Sequence, residues 1–281
     1  MSHIHHISSD ELRAVQLTQL ELLREVDRIC RKLGIRYQII AGTLLGAVRH
    51  GGFIPWDDDA DVAFLRDEYE KFRAACEIDL DMSRFHFQDH GNTPGYRWGY
   101  GKLRRKDTEF IRLDQEHMPY EQGICIDIFP IDNVPNNKIL RKIHCFKCFL
   151  YRKTFWSEVG RREAKGITRF VYAALRKIPA SRLYQSFDRF VEKSNRHESE
   201  WARILTYPTP TKDHGYPRQW ARKTAEYTFE GVNLYGVAEY DEYLRFKYGN
   251  YMTLPPENER KKHPISRLKL LWYNRKGSRD V

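Results

Sequence analysis

The chain has 281 residues, of which 41% are hydrophobic, and carries 48 Lys and Arg against 38 Asp and Glu. That length suits one elaborated domain or a domain with a helical annex, and the net charge of +10 implies an anionic partner: nucleotide, phosphorylated polymer, nucleic acid or acidic membrane surface. No run approaches the roughly 18 apolar residues of a spanning helix, and the polar, His-bearing N-terminus is not a signal peptide, so the sequence reads as cytoplasmic.

In chain order, Ser8 and Glu11 have capping-box spacing, and Leu12, Val15, Leu22, Val26, Ile29 and Leu33 recur at helical period until Gly34, which predicts a first helix. Ile35 to Ala41 reads as a strand leading into a Gly42-Thr43 turn. A short apolar segment with a basic end follows, and then Asp57, Asp58, Asp59 and Asp61 place four carboxylates in five positions. Like charges this close raise one another's pKa and repel unless a metal or basic groups neutralise them. If residues 59–64 form a strand, Ala60, Val62 and Phe64 share an apolar face, and Asp59 and Asp61 project from the other. Such a pair clamps a divalent ion, and oxygen-only ligands favour Mg²⁺ or Mn²⁺. Asp57 and Asp58, after Pro55-Trp56, fall in the approach loop. An acidic run alone is usually a solvated turn; the Gly-Thr before it and the alternation after it favour the metal site.

The run from Ala41 to Val62, continuing through Arg66, Tyr69 and Phe72, resembles the opening signature of the LicD family of phosphocholine transferases, relatives of fukutin and its related protein. Its Gly-Thr turn followed by Asp-x-Asp is also similar to the wider nucleotidyltransferase superfamily. The resemblance implies a third acid on a strand beside the Asp-x-Asp strand, and a CDP-linked donor attacked at its distal phosphate, with CMP as the leaving group.

Asp67 to Ile78 reads as a helix, and the aromatic alternation from Phe85 to Phe110 as strands broken at residues 91–95. In Ile124-Cys125-Ile126-Asp127-Ile128-Phe129-Pro130, an Asp within an apolar strand is costly unless paired or metal-bound, so Asp127 is the expected third carboxylate. The same Asp-Ile-Phe-Pro resembles the LicD pattern. Asp132, beyond Pro130, is expected in a loop or cap.

Residues 138–169 hold ten Lys and Arg against two Glu among many apolar residues. This segment is either a basic amphipathic face lying on an anionic membrane or a helical annex with a solvated basic face. After Pro179 a further helix ends near His197. Trp201–Tyr207 and Ala225–Tyr235 read as short strands and Glu239–Tyr248 as a helix; residues 247–256, with His263 beyond, are similar to the family's closing motif. The five cysteines form an odd, irregular set and read as reduced, with Cys145 and Cys148 packed in a helix. The expected architecture is α+β: a nucleotidyltransferase-like mixed sheet with flanking helices (residues 1–135), a basic helical annex (136–200), and a C-terminal part completing the core (201–281).

Asp59, Asp61 and Asp127 are therefore the expected metal-binding and catalytic residues, with Gly42, Thr43, Arg49 and Lys102 as substrate contacts. Such a site binds pyrophosphate, neutralises the leaving phosphate and activates a hydroxyl for in-line displacement. The expected partners are a CDP-linked donor such as CDP-choline and a glycan acceptor, free or lipid-linked, with peripheral contact to an anionic membrane and no nucleic acid. Trp56, Tyr96, Trp98 and Tyr100 are available either for a choline cage or for sheet packing. Two rivals stay open: a nucleotidyltransferase adding NMP to a small hydroxyl compound, and a non-catalytic basic scaffold that binds nucleic acid.

Overall fold

The structure is a computed structural model that describes residues 4–208, 213–260 and 262–271. Helix α1 (Ser9–Leu33) starts at a complete capping box, in which the Ser8 hydroxyl accepts from the Glu11 N–H and the Glu11 carboxylate from the Ser8 N–H. It stops at Gly34, whose φ of 65° suits a residue without Cβ. Strand β1 (Gln38–Ile39), helix α2 (Ala41–His50), strand β2 (Asp61–Leu65) and helix α3 (Arg66–Asp79) complete the first unit. Next come β3 (Phe85–Gln88), β4 (Gly101–Arg105), β5 (Glu109–Arg112) and the long β6 (Cys125–Val134).

The basic segment folds into α4 (Lys138–Phe155), α5 (Ser157–Glu163), α6 (Gly166–Arg176) and α7 (Ala180–Asn195). Beyond it lie β7 (Trp201–Arg203), β8 (Tyr216–Pro217), α8 (Gln219–Arg222), β9 (Thr224–Phe229), β10 (Val232–Val237), α9 (Tyr240–Tyr248) and β11 (Ile265–Lys269). Strands order as β3-β4-β6-β2-β1-β10-β9, with β7 and β8 added beside β6 and a separate β5–β11 pair. The sheet is mixed: β2 with β6 and β1 with β10 are parallel, and the other pairs antiparallel. This is the expected α+β, nucleotidyltransferase-like architecture.

α1 and α3 pack on each other and on this sheet, where Val26, Ile29, Phe64, Phe72, Ile126 and Ile128 share the main core. A second cluster joins Cys148 and Phe155 of α4 and Leu183, Tyr184 and Phe187 of α7 to Val134 of β6 and to Leu205, just past β7. All five cysteines are free thiols.

Three local expectations change. The strand expected over residues 35–41 shortens to two residues; Ala41, at φ 51°, makes the bend, and Gly42-Thr43 sits inside the first turn of α2. The strand expected from residue 59 begins at Asp61, because Gln16 and Gln19 of α1 bond the carbonyls of Asp57 and Asp58 at 2.9 Å and hold that stretch outside the ladder. Asp132 lies within β6 and not in a loop, since Arg66 neutralises it there through two hydrogen bonds of 2.7 and 2.8 Å.

Candidate active site

The site grows from one register. β2 and β6 run parallel with Asp61 opposite Asp127, so two acids stand side by side at the start of neighbouring strands. Both are buried. The Thr43 hydroxyl accepts the Asp61 N–H at 2.8 Å, fixing the end of β2 against the first turn of α2. That hydroxyl is itself buried, so it positions Asp61 and does not face the cleft.

Burial, and then the charges of Asp59 and Asp127, drive the Asp61 carboxyl well above the usual carboxylate range. Burial followed by Asp59, Asp61 and Asp58 pushes Asp57 up to about 9. Asp127 goes the other way: burial would raise it, but Lys102 and Arg112 outweigh burial and hold it below its ordinary value. Lys102 forms an ion pair with Asp127, and an Arg112 nitrogen lies 4.0 Å from Asp59. Asp57, Asp59 and Asp61 thus crowd one another, and the cations that act on Asp61, Lys247 and then Lys102, do not bring its carboxyl back to the usual range. Oxygen donors in that state fit a hard divalent cation.

The tightest grouping of metal-type ligands among the described residues is a different one. Ligand atoms of Asp58, Asp59 and His263 all lie within 4.8 Å of one another. Asp58 is already satisfied there: one oxygen meets His263 Nδ1 and the other accepts the His263 N–H, both at 2.7 Å. It works as a bracket that ties the C-terminal segment to the approach loop, leaving Asp59 as the member of that group turned toward Asp61.

A cleft of about 690 Å³ opens beside the acids, lined by Gly42, Arg49, Trp56, Asp57, Asp59 and Asp61 from the first unit and by Tyr248 and Tyr251 from the C-terminal one. At Gly42 a Cβ would come within 2.7 Å of an Asp57 carboxylate oxygen, so a side chain there would displace an acid. Arg49 reaches across to donate to the Tyr251 carbonyl at 2.6 Å. Lys102 lies apart from this wall, in a narrower pocket with Trp98, Tyr100, Arg112, Asp127 and Trp156.

Of the four aromatic residues available for a cage, Tyr96, Trp98 and Tyr100 pack in one cluster, with Trp98 and Tyr100 lining the Lys102 pocket, and Trp56 stands apart. Trp56 lines the cleft with the Arg260 guanidinium 4.4 Å above its ring, whereas Tyr96 and Trp98 are buried with Met118 and Val159. Asp57, Arg112 and the Asp58–His263 bracket were missed. Asp57 was readable as one more acid of the run, but its approach to Gly42 depends on the bend at Ala41. Arg112 sits on an ordinary-looking strand, and nothing near it in the sequence marks it.

A mixed sheet flanked by helices, with acids on neighbouring parallel strands beside a helix start, is a nucleotidyltransferase-like fold. Residues 34–159 match the family model described as LicD/FKTN/FKRP, nucleotidyltransferase domain. The chain is 28% identical to the lipopolysaccharide cholinephosphotransferase LicD of Haemophilus influenzae, over 92% of this chain and 98% of that protein. It is 29% identical to an uncharacterized protein of Rickettsia prowazekii over 41% of each. With the mouse ribitol 5-phosphate transferase FKRP the identity is 42%, over 17% of this chain and 11% of that one.

Proposed function

We propose that the chain is a metal-dependent phosphotransferase, moving phosphocholine or a related phosphoalditol group from a CDP-linked donor such as CDP-choline to a hydroxyl of a cell-surface glycan, a lipopolysaccharide or teichoic-acid precursor. The observation that carries this reading is the register that sets Asp61 beside Asp127, with Asp57 and Asp59 crowding Asp61. The near full-length likeness to a lipopolysaccharide cholinephosphotransferase supports the choice of cargo and acceptor. With a lipid-linked acceptor, the reaction belongs in the cytoplasm at the inner face of the membrane.

Asp59, Asp61 and Asp127 hold Mg²⁺ or Mn²⁺ in this proposal. The bound ion supplies charge neutralisation on the pyrophosphate and a lowered pKa for the attacking hydroxyl. The chain's own groups do the rest. Gly42 leaves room for the Asp57 carboxylate at the foot of α2, and the first N–H groups of α2 suit phosphate oxygens. Arg49 on the cleft wall is a donor-phosphate contact. Lys102 and Arg112 keep Asp127 ionised.

The test is mass spectrometry of product after incubation with CDP-choline, Mn²⁺ and a glycan fraction of the cell envelope. The expected result is acceptor heavier by phosphocholine, with release of CMP. Acceptor heavier by CMP would instead make the protein a nucleotidyltransferase. Modification by CDP-ribitol and not by CDP-choline would change the cargo.

A further inference from the structure

α4 has two apolar faces, and the fold uses one of them. Arg141, His144, Cys148 and Phe155 turn inward, His144 toward Ser194 of α7 at 2.8 Å and stacked on Phe190. At 100° per residue, Ile139, Leu140, Ile143, Phe146 and Leu150 gather on the opposite side, and all five are exposed, Ile139 at 71% and Phe146 at 60%. α6 repeats the pattern: Tyr172 is buried against Gly160, while Ile167 at 81%, Phe170 at 74% and Val171 point outward. The two helices touch, and Lys153 of α4 donates to the Tyr172 hydroxyl at 3.1 Å.

Solvent-exposed apolar groups in this number on adjacent helices mark a binding surface. Charge decides what it binds. Lys142 and Lys147 fall on the two edges of the α4 stripe, Lys165 and Arg169 accompany the α6 stripe, and all four are exposed. Apolar side chains rimmed by Lys and Arg complement a bilayer, whose acyl boundary takes the former and whose anionic headgroups take the latter. Neither helix could span it: no helix among the described residues is long and apolar enough to cross a membrane.

We propose that the outward faces of α4 and α6 dock the protein on an anionic lipid surface, lying in the interface with the aromatic and aliphatic side chains inserted. This surface stands on its own observations and does not depend on the phosphotransfer reading. Arg141 takes no part in it. Its guanidinium is buried, bonded to the carbonyls of Pro135, Asn136 and Asp213 and stacked 3.9 Å from Trp201, so it belongs to the fold.

The experiment is flotation of the full chain with vesicles of phosphatidylcholine alone or mixed with phosphatidylglycerol, at low and high salt. Two variants accompany it, F146S/F170S and K142Q/K147Q, with melting curves and light scattering for all three proteins. The wild type is expected to bind the anionic vesicles and to release in high salt. The apolar variant should lose about tenfold or more in vesicle affinity, and the lysine variant should bind more weakly with a flatter salt dependence, both with unchanged melting. No vesicle binding by wild type, or equal binding by all three, overturns the proposal. So does a wild-type dimer that F146S/F170S converts to monomer without vesicle binding, which would make the face a self-interface. Transfer to a soluble, lipid-free acceptor should be equal in all three proteins, so failure of that reaction leaves the vesicle result standing.

Discussion

Strand β6 buries an aspartate at each end, each paired with a basic residue, and the two have different neighbours. Asp132 receives both arms of the Arg66 guanidinium and the Asn195 amide at 2.7 Å, and is 1% exposed. Five residues earlier, Asp127 faces Asp61 across the parallel register, and Asp61 in turn has Asp57 and Asp59 beside it. Asp132 has its donors built in; Asp127 is held by Lys102 and Arg112, but Asp61 beside it, and Asp57 next to that, are pushed above the usual carboxylate range. A saturated buried acid is an element of structure, whereas a crowded set is prepared for something from outside.

The sharpest way to test that contrast is to remove one charge from each end. Asp61→Asn should lower transferase activity by about a thousandfold, close to 4 kcal/mol of transition-state stabilisation, while melting stays level or rises because repulsion is relieved. Steady-state rates beside calorimetry decide it, and a matched loss of stability would move Asp61 to the structural class. Arg66→Met should act in reverse. Stranding Asp132 without its partner should cost about 3–5 kcal/mol in urea unfolding, and a second change, Asp132→Asn, should recover part of that loss.

The smallest effect is one of pH. Asp57 has its folded pKa raised, from an ordinary 3.8 to about 9, so the stability it contributes is fully present in acid and is lost as pH rises across that interval. Asp127 is held low and contributes stability above the ordinary carboxylate range, lost only in strong acid. Metal-free protein should therefore melt at falling temperature between about pH 4 and pH 9, and added Mn²⁺ should raise the melting point most at the alkaline end. A flat profile without metal would contradict the crowding.

Much of this was legible because it is local. The capping box at Ser8 and Glu11, the glycine stop at Gly34 and the cost of an acid between Ile126 and Ile128 are each read within a few residues. Asp132 was misread because its partner, Arg66, lies 66 positions earlier and its amide partner 63 later. The start of β2 was misplaced for a similar reason: Gln16 and Gln19 look like ordinary polar positions of an amphipathic helix until α1 is laid over the approach loop. Composition counted the aromatic rings without saying which of them gather, and Trp56 proves to lie apart from Tyr96, Trp98 and Tyr100.

The bracket between Asp58 and His263 also bears on the order in which the chain folds. It spans 205 positions, and others have similar reach: the Phe53 N–H to Glu230 across 177, and, across the cleft, Arg49 to the Tyr251 carbonyl across 202. Contacts so distant carry a large loop-closure entropy and form after the local units. During synthesis the helix and strands of the first unit can assemble early, but the acids stay open to water until nearly the whole described chain has left the ribosome. The Arg49–Tyr251 side of the cleft therefore needs both the first unit and the C-terminal segment in place.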